Sequence, residues 1–435
     1  MPTYRLVALG CKVNRADAAE IERGLLAAGM ERAPLGAGAE LAIVCGCAVT
    51  ATAEKKSLRA LERVARENPG ARIAAAGCIA VRLAQMGGCE AEGRARDGCA
   101  RSFRPGDADT LVVPGAPADV LQALLTGHPQ AHAPGGGFPG RTRAFLKIQD
   151  GCDASCAYCI VPSLRGRPRS RPQQEVLEEA ERLVGAGHAE IVLAGVRLGA
   201  YSDGECRDRG ALARLVESLL RLRSRGLLRL RLSSIEPADF DERLAAIASS
   251  ESGLCPHFHL PLQSADDDVL RAMGRPYGVR DYRALVERIR SHVPDAAITT
   301  DVIAGFPGET PEAHARTVEF VRELRFARLH VFPFSPRPGT PAAAMPAGPA
   351  RGLARSRAAE LLAAGELAAR EYRAQFLGRE LEVLAEPGGR ECRLAGYTER
   401  YARVAFDGPR RLVGRLVRVR AVAHARHGFQ GELSE

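Results

Sequence analysis

Three cysteines in the string GCDASCAYCI, Cys152, Cys156 and Cys159, stand at CxxxCxxC spacing. They can give a four-iron cluster three thiolates and leave one iron without a protein ligand. Soft thiolates select zinc or iron-sulfur clusters, but a closed structural zinc site wants four ligands, and no fourth Cys or His lies near enough in sequence to complete one. An open iron can bind a reactant. The competing reading is a partial zinc site or an accidental group of thiols in a turn. Just ahead of the triplet, Phe145-Leu146-Lys147-Ile148-Gln149 alternates apolar and polar residues as a short strand does. The cysteines are therefore expected in the loop leaving the C-terminal end of a strand, where barrel enzymes keep their chemistry.

A second set of cysteines depends on the fold to bring it together. The chain opens with an expected strand at Tyr4 to Leu9, a helix from about Ala16 to Ala28, a strand at Glu40 to Val44, a helix through Glu54 to Glu67 and a strand at Ala71 to Ala76. This βαβαβ pattern implies a parallel sheet. Each strand runs into a cysteine: LGCKVN places Cys11, IVCGCAVT places Cys47 with Cys45 two before it, and AAAGC places Cys78. Parallel strands present their carboxyl ends on one edge, so Cys11, Cys47 and Cys78 are expected to converge there as a second three-thiolate site. Buried free cysteines also serve as small hydrophobes, which is the alternative for any one of them.

Residues 131–143, HAPGGGFPGRTRA, read as a linker because glycine and proline leave little to pack. Beyond it, strand-like stretches recur at Glu190 to Val196, Leu228 to Ser234, His257 to Gln263, Ala297 to Gly305 and Arg328 to Phe334, separated by amphipathic helices such as Gln174 to Gly187. With the strand before Cys152 these make six βα units, hence an open, partial α/β barrel. After a helical stretch around Arg355 to Gln375, short alternating strands with turns at Pro387-Gly388-Gly389 and Asp407-Gly408-Pro409 suggest a small antiparallel barrel. The expected domains are 1–130, a linker at 131–143, 144–376 and 377–435.

The 435 residues carry 61 Lys plus Arg against 52 Asp plus Glu, a net charge of +9 that favours a polyanionic partner. Arg410, Arg411, Arg415, Arg418, Arg420 and Arg426 crowd the last segment, with Tyr397, Tyr401 and Phe406 ahead of them, a mixture suited to phosphate contact and base stacking. Arg165, Arg167, Arg169 and Arg171 form a second basic string beside the first cysteine triplet. An arginine-decorated solvated face is the alternative for both. The opening MPTYRLVALGCKVN has no basic leader before a long apolar core, and no run of about eighteen uncharged apolar residues occurs, so neither export nor a membrane partner is expected. Twelve cysteines are sparse for a disulfide scaffold of this length and suit a reducing cytoplasm.

The CxxxCxxC triplet with Tyr158 resembles the radical S-adenosylmethionine (SAM) signature, and the chain as a whole resembles the radical SAM methylthiotransferases. LGCKVN, RLSSIEP at Arg231 to Pro237, CPHFHLPLQS at Cys255 to Ser264, DVIAGFPGET at Asp301 to Thr310 and HVFPFSPRPGTPA at His330 to Ala342 are similar to the branch acting on N6-threonylcarbamoyladenosine in tRNA. The resemblance implies SAM and two 4Fe-4S clusters as cofactors. Cys152, Cys156 and Cys159 would hold the SAM-cleaving cluster, while Cys11, Cys47 and Cys78 would hold an auxiliary cluster whose open iron carries the sulfur. It also implies that one SAM methylates that sulfur and a second yields the radical that activates adenine C2-H.

SAM is expected near the strand ends, at Gly195, Ser234, Glu236, Gln263, Asp301 and Gly305. The tRNA anticodon stem-loop is expected on Arg165, Arg167, Arg169, Arg171, Arg411, Arg415, Arg418 and Arg420. A flavodoxin- or ferredoxin-type electron donor and a sulfur donor are further partners. Cys45, Ser163 and Arg197 depart from the family pattern, and Ser163 after Pro162 is closer to the branch acting on a ribosomal-protein aspartate. That branch, the isopentenyladenosine branch and a nonenzymatic metal-bearing RNA-binding protein remain the alternatives.

Overall fold

The computed structural model describes residues 1–34, 36–86, 101–103 (backbone only), 110–125, 142–204, 208–250, 253–346, 348, 350–388 and 393–434. Residues 131–141 of the expected linker, together with Cys89, Cys99, Cys206 and Cys392, lie outside these described residues. The chain divides into two compact units. The first comprises Met1–Pro139, Asp150–Asp153 and Cys159–Arg167; the second comprises Gly140–Gln149, Ala154–Tyr158 and Pro168–Glu435.

The first unit is built on a six-stranded sheet of β1 (Thr3–Ala8), β2 (Glu31–Arg32), β3 (Leu41–Gly46), β4 (Arg72–Gly77), β5 (Arg101–Phe103) and β6 (Thr110–Val112), in the order β2-β1-β3-β4-β6-β5. Every pairing is parallel except β5 with β6. The central strand β3 is buried along its whole length, which its run LAIVCG permits because a parallel strand covered on both faces needs no polar side. Helix α1 (Lys12–Ala27) follows β1 and α2 (Ala51–Glu67) follows β3. Thr50 caps α2 by accepting from Ala53 N at 3.1 Å, and Ser57, Ala60, Leu61 and Val64 form its buried stripe. Helix α3 (Cys78–Met86) starts directly where β4 ends.

In the second unit, β7 (Arg143–Lys147), β8 (Glu190–Ala194) and β9 (Arg229–Leu232) form one parallel sheet, and β10 (His257–His259), β11 (Ala297–Ala304) and β12 (Arg328–Pro333) another. Parallel bridges Leu230↔Leu254 and Ser234↔His259 join them, so six parallel strands run in sequence order as the βα count implied. Leu146, Ile191, Leu193, Leu230, Leu232, Phe258, Ile298 and Val302 are inaccessible to solvent and fill the centre. The long helix Arg351–Ala374 packs on β12. Arg143, placed in the linker by composition, already begins β7.

The last five strands, β13 (Glu380–Pro387), β14 (Arg393–Thr398), β15 (Arg403–Asp407), β16 (Leu416–Ala425) and β17 (Gly428–Leu433), close into a barrel in the order β13-β14-β15-β17-β16. Its pairing departs from the antiparallel expectation at one place, where β15 and β17 run parallel. Charges fasten it to the six-stranded core. Arg231 and Glu190 pair at 2.8 Å with no exposure of either side chain, and Arg231 also donates to Thr398 O at 3.0 Å and Glu399 O at 2.7 Å. Arg143 Nε donates to Glu386 Oε1 at 2.8 Å. No described helix is long and apolar enough to cross a membrane.

Candidate metal-cluster sites

In the first unit, β1, β3 and β4 are neighbours in register, with Ala8 opposite Cys45 and Gly46 opposite Gly77. Their carboxyl ends therefore deliver Cys11, at the N-cap of α1, Cys47 just past β3, and Cys78, the first residue of α3. The approach is close. Gly10, at φ +96°, passes so near that a Cβ there would lie 2.5 Å from Cys47 Cβ. Asn14 ties the strand ends together, donating from Nδ2 to Leu9 O at 3.1 Å and Gly46 O at 2.8 Å. Ser57 Oγ accepts from Cys47 N at 2.9 Å and donates to Cys47 O at 2.8 Å.

Burial pushes the Cys47 thiol up to about 11, the Val49 backbone opposing and Cys78 and Cys11 adding to the rise; it raises Cys78 as well, against the pull of Arg165. Cys45 does not join the set. It lies wholly buried within β3, its Sγ 3.5 Å from Asn14 O, as a packing residue.

The cation of this site is Arg165, on the short helix Val161–Arg165. Its Nε donates to Cys78 Sγ at 3.2 Å, Nη1 to both Asp150 carboxylate oxygens at 3.0 Å, and Nη2 to Asp17 Oδ2 at 2.9 Å and to Asn14 Oδ1. Burial opposes the charge, but Cys78, Asp17 and Asp150 outweigh it and raise the guanidinium pKa. This corrects the expectation for RNA: with its side chain 9% exposed and every donor group engaged, Arg165 cannot serve a phosphate.

The CxxxCxxC loop is held segment by segment. In the first unit Cys152 N donates to Gly166 O at 3.0 Å, and Gly151, at φ +72°, passes so close to Arg167 that a Cβ would sit 2.1 Å from its carbonyl oxygen. Cys152, Cys156 and Cys159 are all partly exposed, unlike Cys47 and Cys78. In the second unit Ala157 N donates to Met273 O at 2.9 Å, and Gly274, at φ +71°, leaves 2.7 Å between a would-be Cβ and Ser155 O.

Arg275 follows immediately. Its Nη1 donates to Cys156 Sγ at 3.2 Å and to the Tyr158 hydroxyl at 3.3 Å, Nη2 to Glu236 and to Tyr277 Oη at 2.8 Å, and Nε to the same hydroxyl at 3.0 Å. Burial works against this guanidinium too, and Tyr158, Glu236, Tyr277 and Cys156 together raise its pKa. Burial also raises Glu236, with Arg275 holding it back. Sequence reading did not single out Arg275, and the SAM contact expected of Glu236 meets a carboxylate already joined to a cation.

The other strand-end residues separate into two groups. Gly195 lies buried where β8 ends, and a Cβ there would be 3.2 Å from Gln149 Oε1. Gln263 adopts φ +69° and bridges to Val302, while Gly305 N donates to Glu309 Oε2 at 2.8 Å. Ser234 sits on the bridge to His259. Asp301 has both oxygens occupied, Oδ2 at 3.2 Å from His259 Nε2 and Oδ1 at 3.1 Å from His330 Nδ1; against burial, these histidines lower its pKa. His259, Asp301 and His330 are the only group of three or more His, Cys, Asp or Glu among the described residues whose ligand atoms all lie within 4.8 Å. The strings CPHFHLPLQS and HVFPF contained both histidines, but only the register of β10, β11 and β12 brings them to Asp301. His330 also lines a cavity of about 500 Å³ with Thr299, Arg328, Tyr372, Arg400 and Arg403.

Among the arginines assigned to RNA, Arg167, Arg169, Arg411, Arg415, Arg418 and Arg420 are exposed. Arg171 instead pairs with Glu179 at 2.6 Å, and Arg420 meets Glu380 at 3.5 Å. The aromatic part of that expectation is also corrected. Phe406 is buried in the barrel core, and Tyr397 and Tyr401 stack on each other at 4.8 Å with Arg143 and Arg231 over their rings, so these three do not form a bare stacking platform.

Residues 146–321 match the radical SAM superfamily and residues 3–90 match the uncharacterized protein family UPF0004. The chain is 34% identical over 428 residues to the threonylcarbamoyladenosine tRNA methylthiotransferase MtaB of Bacillus subtilis, covering 97% of this chain and 94% of that one. It belongs to the radical SAM methylthiotransferases. A second relative of this family, the tRNA-2-methylthio-N(6)-dimethylallyladenosine synthase of Mycobacteroides abscessus, is 35% identical, with 97% of this chain and 83% of that one covered. Among solved structures, the radical SAM methyltransferase TsrM of Kitasatospora setae superposes with a TM-score of 0.53 at 16% identity, covering 79% of this chain and 77% of that one, a likeness of fold. Membership makes this methylthiotransferase an enzyme that uses SAM and a 4Fe-4S cluster. The donor chemistry fits, since three cysteines in one loop, one of them facing a guanidinium, suit thiolate-ligated iron.

Proposed function

We propose that this methylthiotransferase modifies C2 of N6-threonylcarbamoyladenosine at position 37 of tRNA, using two 4Fe-4S clusters. Cys152, Cys156 and Cys159 would hold the cluster that, with SAM bound, supplies one-electron cleavage to a carbon radical. Cys11, Cys47 and Cys78 would hold the second, beside which the sulfur is delivered. Flavodoxin- or ferredoxin-type and sulfur-donating partners follow from that chemistry, and a three-part division into sulfur-delivery, radical and RNA-binding domains goes with it. The chain's own residues bind and orient: Asn14 and Ser57 fix the strand ends that carry the second site, and Gly195, Gln263 and Gly305 are the strand-end positions beside which SAM would lie.

The observation that carries the nucleoside assignment is the cation-lined cavity of about 500 Å³ beside β12. His330 of the same lining is held by Asp301 and Arg400 by Asp295, whereas Arg328 and Arg403 are exposed there and make no ion pair among the described residues. The threonylcarbamoyl substituent carries a carboxylate, which guanidiniums attract, whereas a dimethylallyl group is purely apolar and would leave these cations without a counter-charge. Identity to the two groups of relatives does not separate them, at 34% and 35%. Ser163, which favoured the ribosomal-protein reading, has a local use: its Oγ donates to Ile160 O at 2.9 Å, closing the turn into the helix of Arg165.

Nucleoside mass spectrometry of tRNA from cells with and without the gene tests this reading. The 2-methylthio derivative of threonylcarbamoyladenosine should vanish on deletion and return on complementation; its persistence would refute the assignment. Charge reversal at Arg411, Arg415 and Arg418 together should weaken tRNA binding about tenfold or more and flatten the log-log salt dependence by roughly 2 to 3 units. An unchanged slope would remove the barrel from RNA binding.

A further inference from the structure

We propose that Arg275 and Arg165 are thiolate-directed guanidiniums, one for each cysteine set, that raise the reduction potential of the cluster their set would hold. For Arg275 the inference rests on the cluster that family membership brings; for Arg165 it rests on the two-cluster reading above.

Both side chains are buried, Arg275 with 1% and Arg165 with 9% of the side chain exposed. A buried guanidinium requires counter-charge, and the surrounding carboxylates supply it: Glu236 for Arg275, Asp17 and Asp150 for Arg165. Those carboxylates alone would explain the burial. They do not explain why each arginine also aims one N-H at a cysteine sulfur, at 3.2 Å in both places. Arginine has no accepting atom and keeps its proton, so whatever it faces must act as an acceptor. A neutral thiol accepts weakly, while an ionised thiolate, the form that ligates iron, accepts strongly. The two arginines are thus preorganised for ligated sulfur rather than for free thiol.

Hydrogen bonds to cluster sulfurs and nearby positive charge favour the reduced form, because reduction adds negative charge to the cluster. The two settings differ in degree. Arg275 faces one carboxylate, Glu236, whereas Arg165 divides its donors between two, Asp17 and Asp150, so more of its charge is answered before it reaches sulfur. The cluster at Cys152, Cys156 and Cys159 should accordingly be the more readily reduced of the two, which suits the site that must pass an electron to SAM.

Redox titration followed by electron paramagnetic resonance, on full-length chain reconstituted anaerobically, reads this directly. Arg275→Met should shift the reduction equilibrium of one cluster at least tenfold toward the oxidised form, about 59 mV for a one-electron couple, and leave the other signal in place. Arg165→Met should do the converse. The lysine variants retain charge but lose the fork that reaches sulfur and carboxylate together, so Arg275→Lys and Arg165→Lys should fall between wild type and methionine. Both potentials unchanged in the methionine variants, with iron content intact, would overturn the proposal. Loss of about half the iron in both the lysine and the methionine variant of one arginine would overturn it for that arginine by making it a structural clamp. A wild-type chain that holds only about four irons would remove the two-cluster reading and the Arg165 half with it, while Arg275→Met would still decide the other half.

Discussion

The two cysteine sets are gathered by opposite routes. Cys152, Cys156 and Cys159 come from eight consecutive residues in one loop and remain partly exposed, so the sequence itself holds them near each other. Cys11, Cys47 and Cys78 are spread over sixty-eight residues, from 11 to 78, and meet only because three parallel strands end on one edge; Cys47 and Cys78 are buried there while Cys11 is exposed. Exposure suits a site that must admit a cosubstrate. Yet each set has acquired one buried arginine with an N-H on one sulfur. The loop gathers its cysteines by spacing and the sheet by topology, and in each a guanidinium distant in sequence meets one sulfur.

Removing each set in turn is the severest test of that division. Cys152, Cys156 and Cys159 replaced together by alanine should lower iron from about eight to about four per chain and abolish formation of 5′-deoxyadenosine, because iron without thiolate is not retained. Cys11, Cys47 and Cys78 replaced together should cost the same iron but leave reductive SAM cleavage detectable while methylthio transfer is lost. Iron analysis and product chromatography check both. Equal loss of SAM cleavage in the two triple variants would collapse the distinction between a radical site and a sulfur site.

What the sequence made legible follows the same line. Spacing alone exposed the loop triplet, and counting βα units placed the other three cysteines on one strand edge. Both are local patterns multiplied by a topological rule. The arginines were illegible because their partners are remote: Arg165 meets Cys78 across 87 residues and Asn14 across 151, and Arg275 meets Cys156 across 119. Within its own neighbourhood Arg165 is one of four arginines alternating in a string, which read as a phosphate-binding face; only the burial of its own side chain separates it from the exposed Arg167 and Arg169. The grouping of His259 and His330 with Asp301 was missed for a similar reason, since strand register, not spacing, joins them.

Glycines sharpen the comparison at intermediate cost. Gly10→Ala would place a Cβ 2.5 Å from Cys47 Cβ on a φ of +96°, and Gly274→Ala a Cβ 2.7 Å from Ser155 O on a φ of +71°. Each should destabilise the chain by about 1 to 3 kcal/mol. Their iron phenotypes should differ: Gly10→Ala should reduce occupancy of the sheet-edge set while SAM cleavage persists, and Gly274→Ala should reduce SAM cleavage first. Thermal melts with Mössbauer quantitation of each cluster check this. If both variants lower both clusters equally, the two sites do not assemble independently.

The smallest expected effect lies one contact further out, at the hydroxyl that holds Arg275. Tyr277 Oη accepts from Arg275 Nε at 3.0 Å and Nη2 at 2.8 Å and donates to Pro261 O at 2.6 Å, so it orients the guanidinium without adding charge. Tyr277→Phe leaves the cation in place but strands buried donors, a cost of about 1 to 3 kcal/mol that a denaturation curve would register. If positive charge is what favours the reduced cluster, the potential should move less than in Arg275→Met, under tenfold in the reduction equilibrium. If the two variants shift it equally, orientation of the N-H toward Cys156 rather than charge governs the potential. The comparison with Arg165 would then turn on the acceptors that hold each guanidinium, the amide of Asn14 in one site and the phenol of Tyr277 in the other.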